Sequence, residues 1–165
     1  MNVFGARIRP TLCPGDSMSD LQISIVSTDE EWADARAVRQ SVFVEEQDCP
    51  PEEEWDAFDS DSRHLIGALG DDVVATARWR EVTHEGRVMA KLERFAVLQA
   101  ERGHGIGRAM VQATIDDASS AGYDAFTLHA QSHLEAFYAS FGFESTGHSF
   151  HEVGIPHVEM VRVDG

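Results

Sequence analysis

The segment from Arg102 to Arg108, R-G-H-G-I-G-R, combines residue types that can bind an anion. Glycine lets a backbone approach a ligand closely, and the first N–H groups of a following helix have no partner within that helix. Together with the helix dipole, these groups favour a bound phosphate or pyrophosphate. The spacing fits neither a G-x-G-x-x-G dinucleotide fingerprint, because Arg108 occupies the third glycine position, nor a P-loop, which needs Gly-Lys-Ser/Thr. A glycine-rich turn that serves close packing only is the alternative.

Hydrophobic periodicity and turn signals predict the elements that must position this loop. Strands are predicted at 22–27, 64–69, 73–79, 90–97, 125–130, 143–150 and 157–163. One helix is predicted to begin at Thr28, a second to cover 108–121 and end at Gly122, and a short third to cover 132–141. An acidic loop or short helix follows Cys49-Pro50-Pro51. This order predicts an α+β fold with a single mixed, mostly antiparallel sheet flanked by helices on both faces.

The length of 165 residues fits one domain. Residues 1–18 differ from the rest, because they have two prolines and no acidic residue before Asp16, and they lack the apolar core of a secretory signal. We expect them to be a disordered N-terminal extension, with Met18 as the true start, and the folded domain to cover 19–165.

The chain has 29 acidic and 13 basic residues, a formal charge of −16, and Lys91 is its only lysine. So acidic a chain is not suited to coat nucleic acid, which requires patches of lysine and arginine. No apolar run approaches the ~20 residues of a membrane span, and two cysteines cannot form a disulfide framework. We therefore expect a cytoplasmic protein with no nucleic-acid or membrane partner. The charge also suggests a halophile, with an ordinary solvated acidic surface as the alternative.

The glycine-rich loop resembles the acetyl-coenzyme A motif of the GNAT superfamily of N-acetyltransferases. Its form R-x-x-G-x-G is met by Arg102, Gly105 and Gly107 after a strand ending in F-A-V. The segment 136–143 is similar to the F-Y-x-x-x-G-F segment of that family, and the predicted element order is also shared. Further matches at 38–47, 54–64 and 150–157 resemble a small prokaryotic subgroup, the ElaA-like and YjcF-like proteins. The resemblance covers about residues 22–163.

This resemblance implies an N-acetyltransferase that moves an acetyl group from acetyl-coenzyme A to a small-molecule amine by direct attack, without a metal. Dimers are common in this family, so the resemblance also makes a homodimer an expectation. It implies that loop N–H groups bind the pyrophosphate, and that Val97 N–H lies near the thioester carbonyl. Tyr138 would be the general acid that protonates the departing thiolate. Alternatively, Tyr138 is an aromatic residue that only packs its helix. The residues assigned to the cofactor are Phe95, Ala96, Val97, Arg102, Gly103, His104, Gly105, Ile106, Gly107 and Arg108.

The general base is open between two residues. Glu93 is the leading candidate, because it lies on the same predicted strand as Phe95 and could act through a water if burial raises its pKa. Alternatively, Glu93 pairs with Arg94 or Arg78 as a structural charge. His129, at the end of the strand before the Tyr138 helix, is the second candidate, and Gln131 could hydrogen-bond a ligand.

Recognition of the acceptor is expected to fall to polar residues ahead of the third strand. They are Arg39, Glu46, Gln47, Asp56, Asp59 and His64, with His129 and Gln131 downstream. Acidic residues there suit a cationic amine. In a chain this acidic, however, the same residues can simply be solvated surface.

Three other interpretations use the same residues. Arg39, Phe43, Glu54, Asp56, Asp59 and Arg78 also resemble a pattern of acyl-homoserine lactone synthases, but those proteins lack the R-x-x-G-x-G loop. His148, His151, Glu152 and His157 do not have the helical H-E-x-x-H spacing of a zinc site. A non-catalytic sensor of the same fold would bind acyl-coenzyme A and transfer nothing.

Overall fold

The computed structural model describes residues 20–165, and these form one seven-stranded sheet with helices on both faces. The fold class expected from the sequence is confirmed. The predicted extension at 1–18 and Cys13 lie outside the described residues. The strands are β1 (Leu21–Ile25), β2 (Arg63–Leu69), β3 (Asp72–His84), β4 (Arg87–Val97), β5 (Ala125–Gln131), β6 (Glu144–Glu152) and β7 (Ile155–Val163).

Four α-helices connect these strands: α1 (Asp29–Arg39), α2 (Pro51–Glu54), α3 (Ile106–Ser120) and α4 (Glu135–Ala139). A π-helix covers Gln40–Glu46, and 3₁₀ turns cover Ala57–Asp61, Gln99–Glu101 and Ser132–Leu134. Within residues 20–165, none of these helices has the length and apolar character needed to cross a lipid bilayer.

The strand order is β1-β2-β3-β4-β5-β7-β6. Neighbouring strands are antiparallel except for β4 and β5, which are parallel. That parallel pair is short, since only Ala90–Phe126 and Lys91–Thr127 are paired before the two strands separate. The sheet therefore opens into a V between the ends of β4 and β5.

Successive residues of β3 show how the two faces of the sheet are used, because side chains alternate along a strand. Trp79 points to α3, where its Nε1–H donates to Asp117 at 2.7 Å. Arg78 points to the opposite face and donates to Asp56 and Asp59 beside α1. The main apolar core lies between α3 and the sheet, and it includes Leu65, Leu92, Met110 and Ile115. The face towards α1 carries the buried charges.

The first helix begins where the sequence predicts. Thr28 Oγ1 accepts from the N–H of Glu31, whose carboxylate accepts from the N–H of Thr28, so the two form a capping box. The apolar spacing predicts that the helix continues to Val42 and Phe43, but α1 ends at Arg39 and the chain continues as the π-helix. Gln47 N–H accordingly donates to Val42 O, five residues back, at 3.2 Å. π-Helical turns are rare and occur mostly at functional sites.

Strands β3 and β4 are longer than predicted and pair as far as His84 and Arg87. Their turn is Glu85-Gly86, with φ of 49° and 79°. Positive φ at both residues is typical of the tight turns whose twist matches a β-hairpin. The pairing consequently continues beyond the apolar stretch on which the sequence prediction relied.

Candidate active site

The V between β4 and β5 is produced by a bulge in β4. Arg78 pairs with Glu93 and Thr76 with Ala96, so Arg94 and Phe95 both lie opposite Ala77. Arg94 has a φ of 58°, which is unusual for a residue other than glycine. An extra residue of this kind bends its strand, and here it directs the end of β4 away from β5.

After the bulge, the edge of β4 that faces β5 has no partner strand in the described part of the chain. Leu98 N–H donates to Val74 O in β3 at 2.9 Å. Because N–H groups of successive extended residues point to opposite edges, the N–H of Val97 points into the open V. The carbonyl of Val97 points the same way and accepts from Arg102 Nε at 3.0 Å.

The loop after β4 carries backbone N–H groups that have no backbone partner among the described residues. Gly103 and Gly105 have φ of 84° and 81°, and α3 begins directly after Gly105. The first N–H group bonded within the helix is that of Ala109, which donates to Gly105 O at 3.1 Å. The N–H groups of the first helical turn before it are therefore free to bind an anion, as the sequence predicted for this loop.

The charged side chains of this loop are held by the protein itself. Arg102 donates to both oxygens of Glu46 at 2.6 and 2.7 Å, so the loop is tied to the end of the π-helix. Arg108 donates to Ser140 Oγ at 2.7 Å and lies over the ring of Phe141. His104 Nδ1 lies 3.2 Å from Glu101 O. The backbone of the loop, rather than its side chains, is thus the free binding surface.

A cavity of about 560 Å³ occupies the V. Strand β4 contributes Glu93 and Phe95 to one wall, β5 contributes His129 and Gln131 to the other, and Tyr138 of α4 lies between them. Further lining residues come from the segment after α1 and from the β6–β7 hairpin: Gln47, Cys49, Asp56, Phe58, Glu152 and His157. Residues far apart in the sequence therefore meet around one space.

Tyr138 is 7% exposed and packs against Phe95, Phe137 and Phe143. Burial raises the pKa of its phenol, and no charge or hydrogen bond from the described residues contributes to the shift. The phenol is consequently protonated throughout the neutral range, and its O–H donates to no side chain within residues 20–165. A protonated phenol in the wall of a cavity can donate a proton to a leaving group.

Glu93 differs from the expectation formed on the sequence. Arg78 Nε donates to it at 2.9 Å, Arg80 Nε donates at 3.2 Å, and Lys91 Nζ lies 3.3 Å away. Burial alone would raise the pKa of Glu93, but the charges of Arg78, Lys91 and Arg80 outweigh it and hold the pKa below its usual value. The hypothesis that Glu93 is the base required burial to raise its pKa. Because the pKa is lowered instead, that requirement is not met. The alternative, a structural charge paired with Arg78, describes its contacts.

Arg94, the other partner weighed for Glu93, points elsewhere. Its Nη2 donates to Asp56 at 3.2 Å, and its Nε lies 2.9 Å from Glu54 Oε2 in poor hydrogen-bond geometry. The bulged residue of β4 therefore anchors the segment around α2.

The residues predicted to bind the acceptor divide into two groups. Gln47, Asp56, His129 and Gln131 line the cavity, whereas Arg39, Asp59 and His64 do not. Arg39 is 1% exposed, and its guanidinium is taken up by Glu54 and Asp59. His64 Nε2 lies 2.8 Å from Asp59 O, and its ring packs on Trp32. The second group forms a charged layer behind the cavity wall and supports it without lining the cavity.

Two contacts connect the β5 side of the cavity to other elements. Gln131 Nε2 donates to Gln47 Oε1 at 3.3 Å, joining β5 to the segment after the π-helix. His129 Nδ1 donates to Glu152 Oε1 at 2.9 Å, joining β5 to β6. Both residues were expected to contact a ligand, and the structure places both at the cavity.

Several lining residues were not assigned to the site from the sequence. Arg80 lies two residues after Arg78 on β3, and Lys91 lies two residues before Glu93 on β4. Because residues two apart in a strand share a face, this spacing could have placed Arg80 and Lys91 beside Arg78 and Glu93. Cys49 also lines the cavity, and burial raises the pKa of its thiol. Glu152 was considered only as a metal ligand. Among residues 20–165, no group of three or more histidine, cysteine or acidic side chains has an arrangement that could hold a metal ion.

Comparison with known proteins gives matches along nearly the whole domain. The model of the acetyltransferase (GNAT) domain matches residues 28–163. The N-acetyltransferase YjcF of Bacillus subtilis (strain 168) is 35% identical over 139 residues, which are 84% of this chain and 96% of that protein. Escherichia coli ElaA has a TM-score of 0.75 at 29% identity, over 86% of this chain and 99% of that one. An acyl-CoA N-acyltransferase from Pseudomonas aeruginosa has a TM-score of 0.76 at 30% identity, over 87% and 99%.

Proposed function

Because the chain belongs to the acetyltransferase (GNAT) family and is an acyltransferase, we propose that it moves an acetyl group from acetyl-coenzyme A to the amine of a small molecule. The amine attacks the thioester directly, with no covalent enzyme intermediate. One observation carries this proposal: the free edge of β4 and the protonated phenol of Tyr138 border the same cavity, next to a loop with unpaired N–H groups.

The loop and the free edge of β4 fit the two ends of coenzyme A. The N–H groups at the start of α3 bind the pyrophosphate, and the main chain of Phe95–Val97 pairs with the amide-containing pantetheine arm as an added strand would. A second cavity of about 660 Å³ adjoins the loop and is lined by Arg108 and Arg162. Coenzyme A carries another phosphate on its ribose, and Arg108, whose partner Ser140 is uncharged, supplies positive charge for it, whereas the charge of Arg162 is already paired with Asp164.

The catalytic steps use a main-chain group at the end of β4 and the phenol of Tyr138 in the cavity wall. Val97 N–H donates to the thioester oxygen as that oxygen gains negative charge during attack. The new C–N bond forms as the C–S bond breaks, and Tyr138 O–H gives its proton to the departing sulphur. Cys49 is no nucleophile in this scheme, because its raised pKa keeps it as a thiol and direct attack needs no acyl-enzyme.

The test is thiol release from acetyl-coenzyme A, measured in molar potassium chloride against a panel of small amines. Amine-dependent release, with the acetylated amine identified by mass spectrometry, is the expected result. Coenzyme A binding measured by calorimetry in the same buffer separates the other outcomes. Tight binding with no release for any amine would favour a non-catalytic sensor of the same fold, and absence of binding would overturn the role given to the loop.

A further inference from the structure

The proposed transfer leaves one task without a residue, since an amine arrives as an ammonium ion and must lose a proton before it can attack. Glu93 is poorly suited to accept that proton, because three cations surround its carboxylate and stabilise the ionised form. A proton acceptor must instead line the cavity, have a free lone pair and be held in a fixed orientation.

His129 meets these conditions. We propose that His129, oriented by Glu152, is the general base that removes the proton from the acceptor ammonium, an inference that rests on the proposed acetyl transfer. His129 lines the cavity on the β5 wall, opposite Glu93, and its side chain is 26% exposed. Glu152 belongs to β6 and lines the same cavity.

The contact with Glu152 fixes which ring nitrogen carries the hydrogen. The two atoms are 2.9 Å apart, and an ionised carboxylate can only accept, so Nδ1 of His129 is the donor. In the neutral ring, Nε2 then has the lone pair. The hydrogen bond from His129 is the main reason that the pKa of Glu152 is lowered, and the carboxylate is therefore ionised when the base is needed.

Other charged and titratable groups reach His129 from each neighbouring strand. On β7, Glu159 Oε2 lies 3.9 Å from Nε2, too far for a hydrogen bond, and His157 Nε2 lies 3.8 Å from Glu152. On β4, the charge of Lys91 acts on Glu152. Phe150 packs edge-on against the imidazole with ring centroids 4.7 Å apart. Two carboxylates thus stabilise the imidazolium that forms, and Nε2 keeps no hydrogen-bond partner among the described residues.

The protons balance when His129 is the base. The ammonium gives one proton to Nε2, and the free amine forms the C–N bond as the C–S bond breaks. Tyr138 protonates the leaving sulphur, and the nitrogen loses its second proton to the Tyr138 oxygen as the amide forms. His129 releases its proton to solvent, so each turnover yields one amide, one thiol and one proton.

The test compares His129→Gln with the wild type, using the amine of the panel that the wild type acetylates fastest. Glutamine can still donate to Glu152 but cannot take up a proton. We expect kcat/KM at neutral pH to fall at least about tenfold. The deficit should shrink as the pH approaches the pKa of the amine itself, because the amine then arrives without its extra proton. A purely structural defect would give a deficit that does not change with pH.

Two further variants sharpen the result. Glu152→Gln should lower kcat/KM, since a neutral amide can donate as well as accept and no longer holds Nδ1 of His129 as the donor. Glu152→Asp, which keeps the carboxylate, should restore part of the loss. His148→Gln is the control, because His148 stacks on Phe150 but does not line the cavity.

The outcomes separate this inference from the function on which it rests. Wild-type turnover combined with an unchanged pH profile in His129→Gln would overturn the role of His129 and leave the acetyl transfer intact. An unchanged kcat/KM in Glu152→Gln, or a loss that Glu152→Asp does not partly restore, would overturn the role of Glu152. A wild type that releases no thiol with any amine would overturn the proposed transfer itself, and the role of His129 with it.

Discussion

Arg39 and Arg78 donate to the same oxygen of Asp59, each from Nη1 at a distance of 2.7 Å. Both guanidiniums are 1% exposed. A single carboxylate therefore joins α1 to β3 behind the wall of the candidate active site. Because an unpaired buried charge is costly, this contact governs both the stability of the domain and the shape of the cavity.

We expect Asp59→Asn to destabilise the domain by about 2 kcal/mol, because it removes the charge that two buried guanidiniums share, although Arg39 keeps Glu54 and Arg78 keeps Asp56 and Glu93. The measurement is urea unfolding in a constant salt concentration. Asp61→Asn is the control, because Asp61 is exposed on the same 3₁₀ turn and its loss should change the free energy of unfolding by less than about 0.5 kcal/mol. Equal effects of the two substitutions would contradict the role given to Asp59.

The same network predicts how stability depends on acid. Burial alone would raise the pKa of Asp56, but hydrogen bonds to Arg78 and the charges of Arg78 and Arg94 outweigh it and lower the pKa to about 2. A carboxylate with a lowered pKa contributes stability that is present above its unfolded pKa of about 3.9 and is lost as the pH falls towards 2. The free energy of unfolding, measured from neutral pH down to about 2, should therefore fall less steeply below 4 in Asp56→Asn than in the wild type. Parallel curves would rule out this contribution.

The two tyrosines of the chain form a matched pair for testing the general acid. Tyr138→Phe removes the buried hydroxyl at the cavity, and kcat for thiol release should fall at least about tenfold while coenzyme A affinity stays the same. Tyr123→Phe removes a hydroxyl that donates to Glu81, away from the cavity, and should keep the wild-type kcat. If Tyr138→Phe keeps full activity, Tyr138 only packs its helix.

Gly103 and Gly86 allow the ligand role of the loop to be separated from backbone strain. Both have positive φ, of 84° and 79°, and a Cβ added at either would meet no atom within 4 Å. Alanine at either position should cost a similar 1–2 kcal/mol or so of stability, because each would be forced into the left-handed region. Only Gly103→Ala should weaken coenzyme A binding, by about tenfold, since its Cβ would occupy the space that the pyrophosphate needs. Equal affinities in calorimetry would contradict this.

The net charge of −16 predicts an unusual salt dependence for binding a polyanionic ligand. At low salt the distant acidic residues repel coenzyme A, and at 0.1 M salt the Debye length is already about 10 Å. The N–H groups of the loop act at contact distance and are screened much less. Affinity for acetyl-coenzyme A should therefore strengthen from low to moderate salt in calorimetry, and a steady weakening would contradict the prediction.

Refolding yields across the same salt range test the proposed adaptation to high salt, which equal stability at low and molar salt would exclude.

The sequence by itself determined the fold class, the family and the position of the glycine-rich loop. These depend on local signals: the capping box of Thr28 and Glu31, the period of two along the strands, and the glycines within residues 102–108, where the loop enters α3. Loop chemistry can be read locally because the free N–H groups and the glycine φ angles belong to one continuous segment.

Only the tertiary structure decided what surrounds each titratable side chain. Glu93 is paired with three cations as a structural charge, and Arg39 is buried behind the cavity wall, which it supports. Glu152 lies beside His129, although 23 residues separate them in the sequence. The positive φ of Arg94, which opens the V, has no signal in the sequence because it occurs at a residue other than glycine. The physical reason is that charge and proton affinity depend on neighbours within a few ångströms, and at this site those neighbours come from strands and helices distant in the sequence.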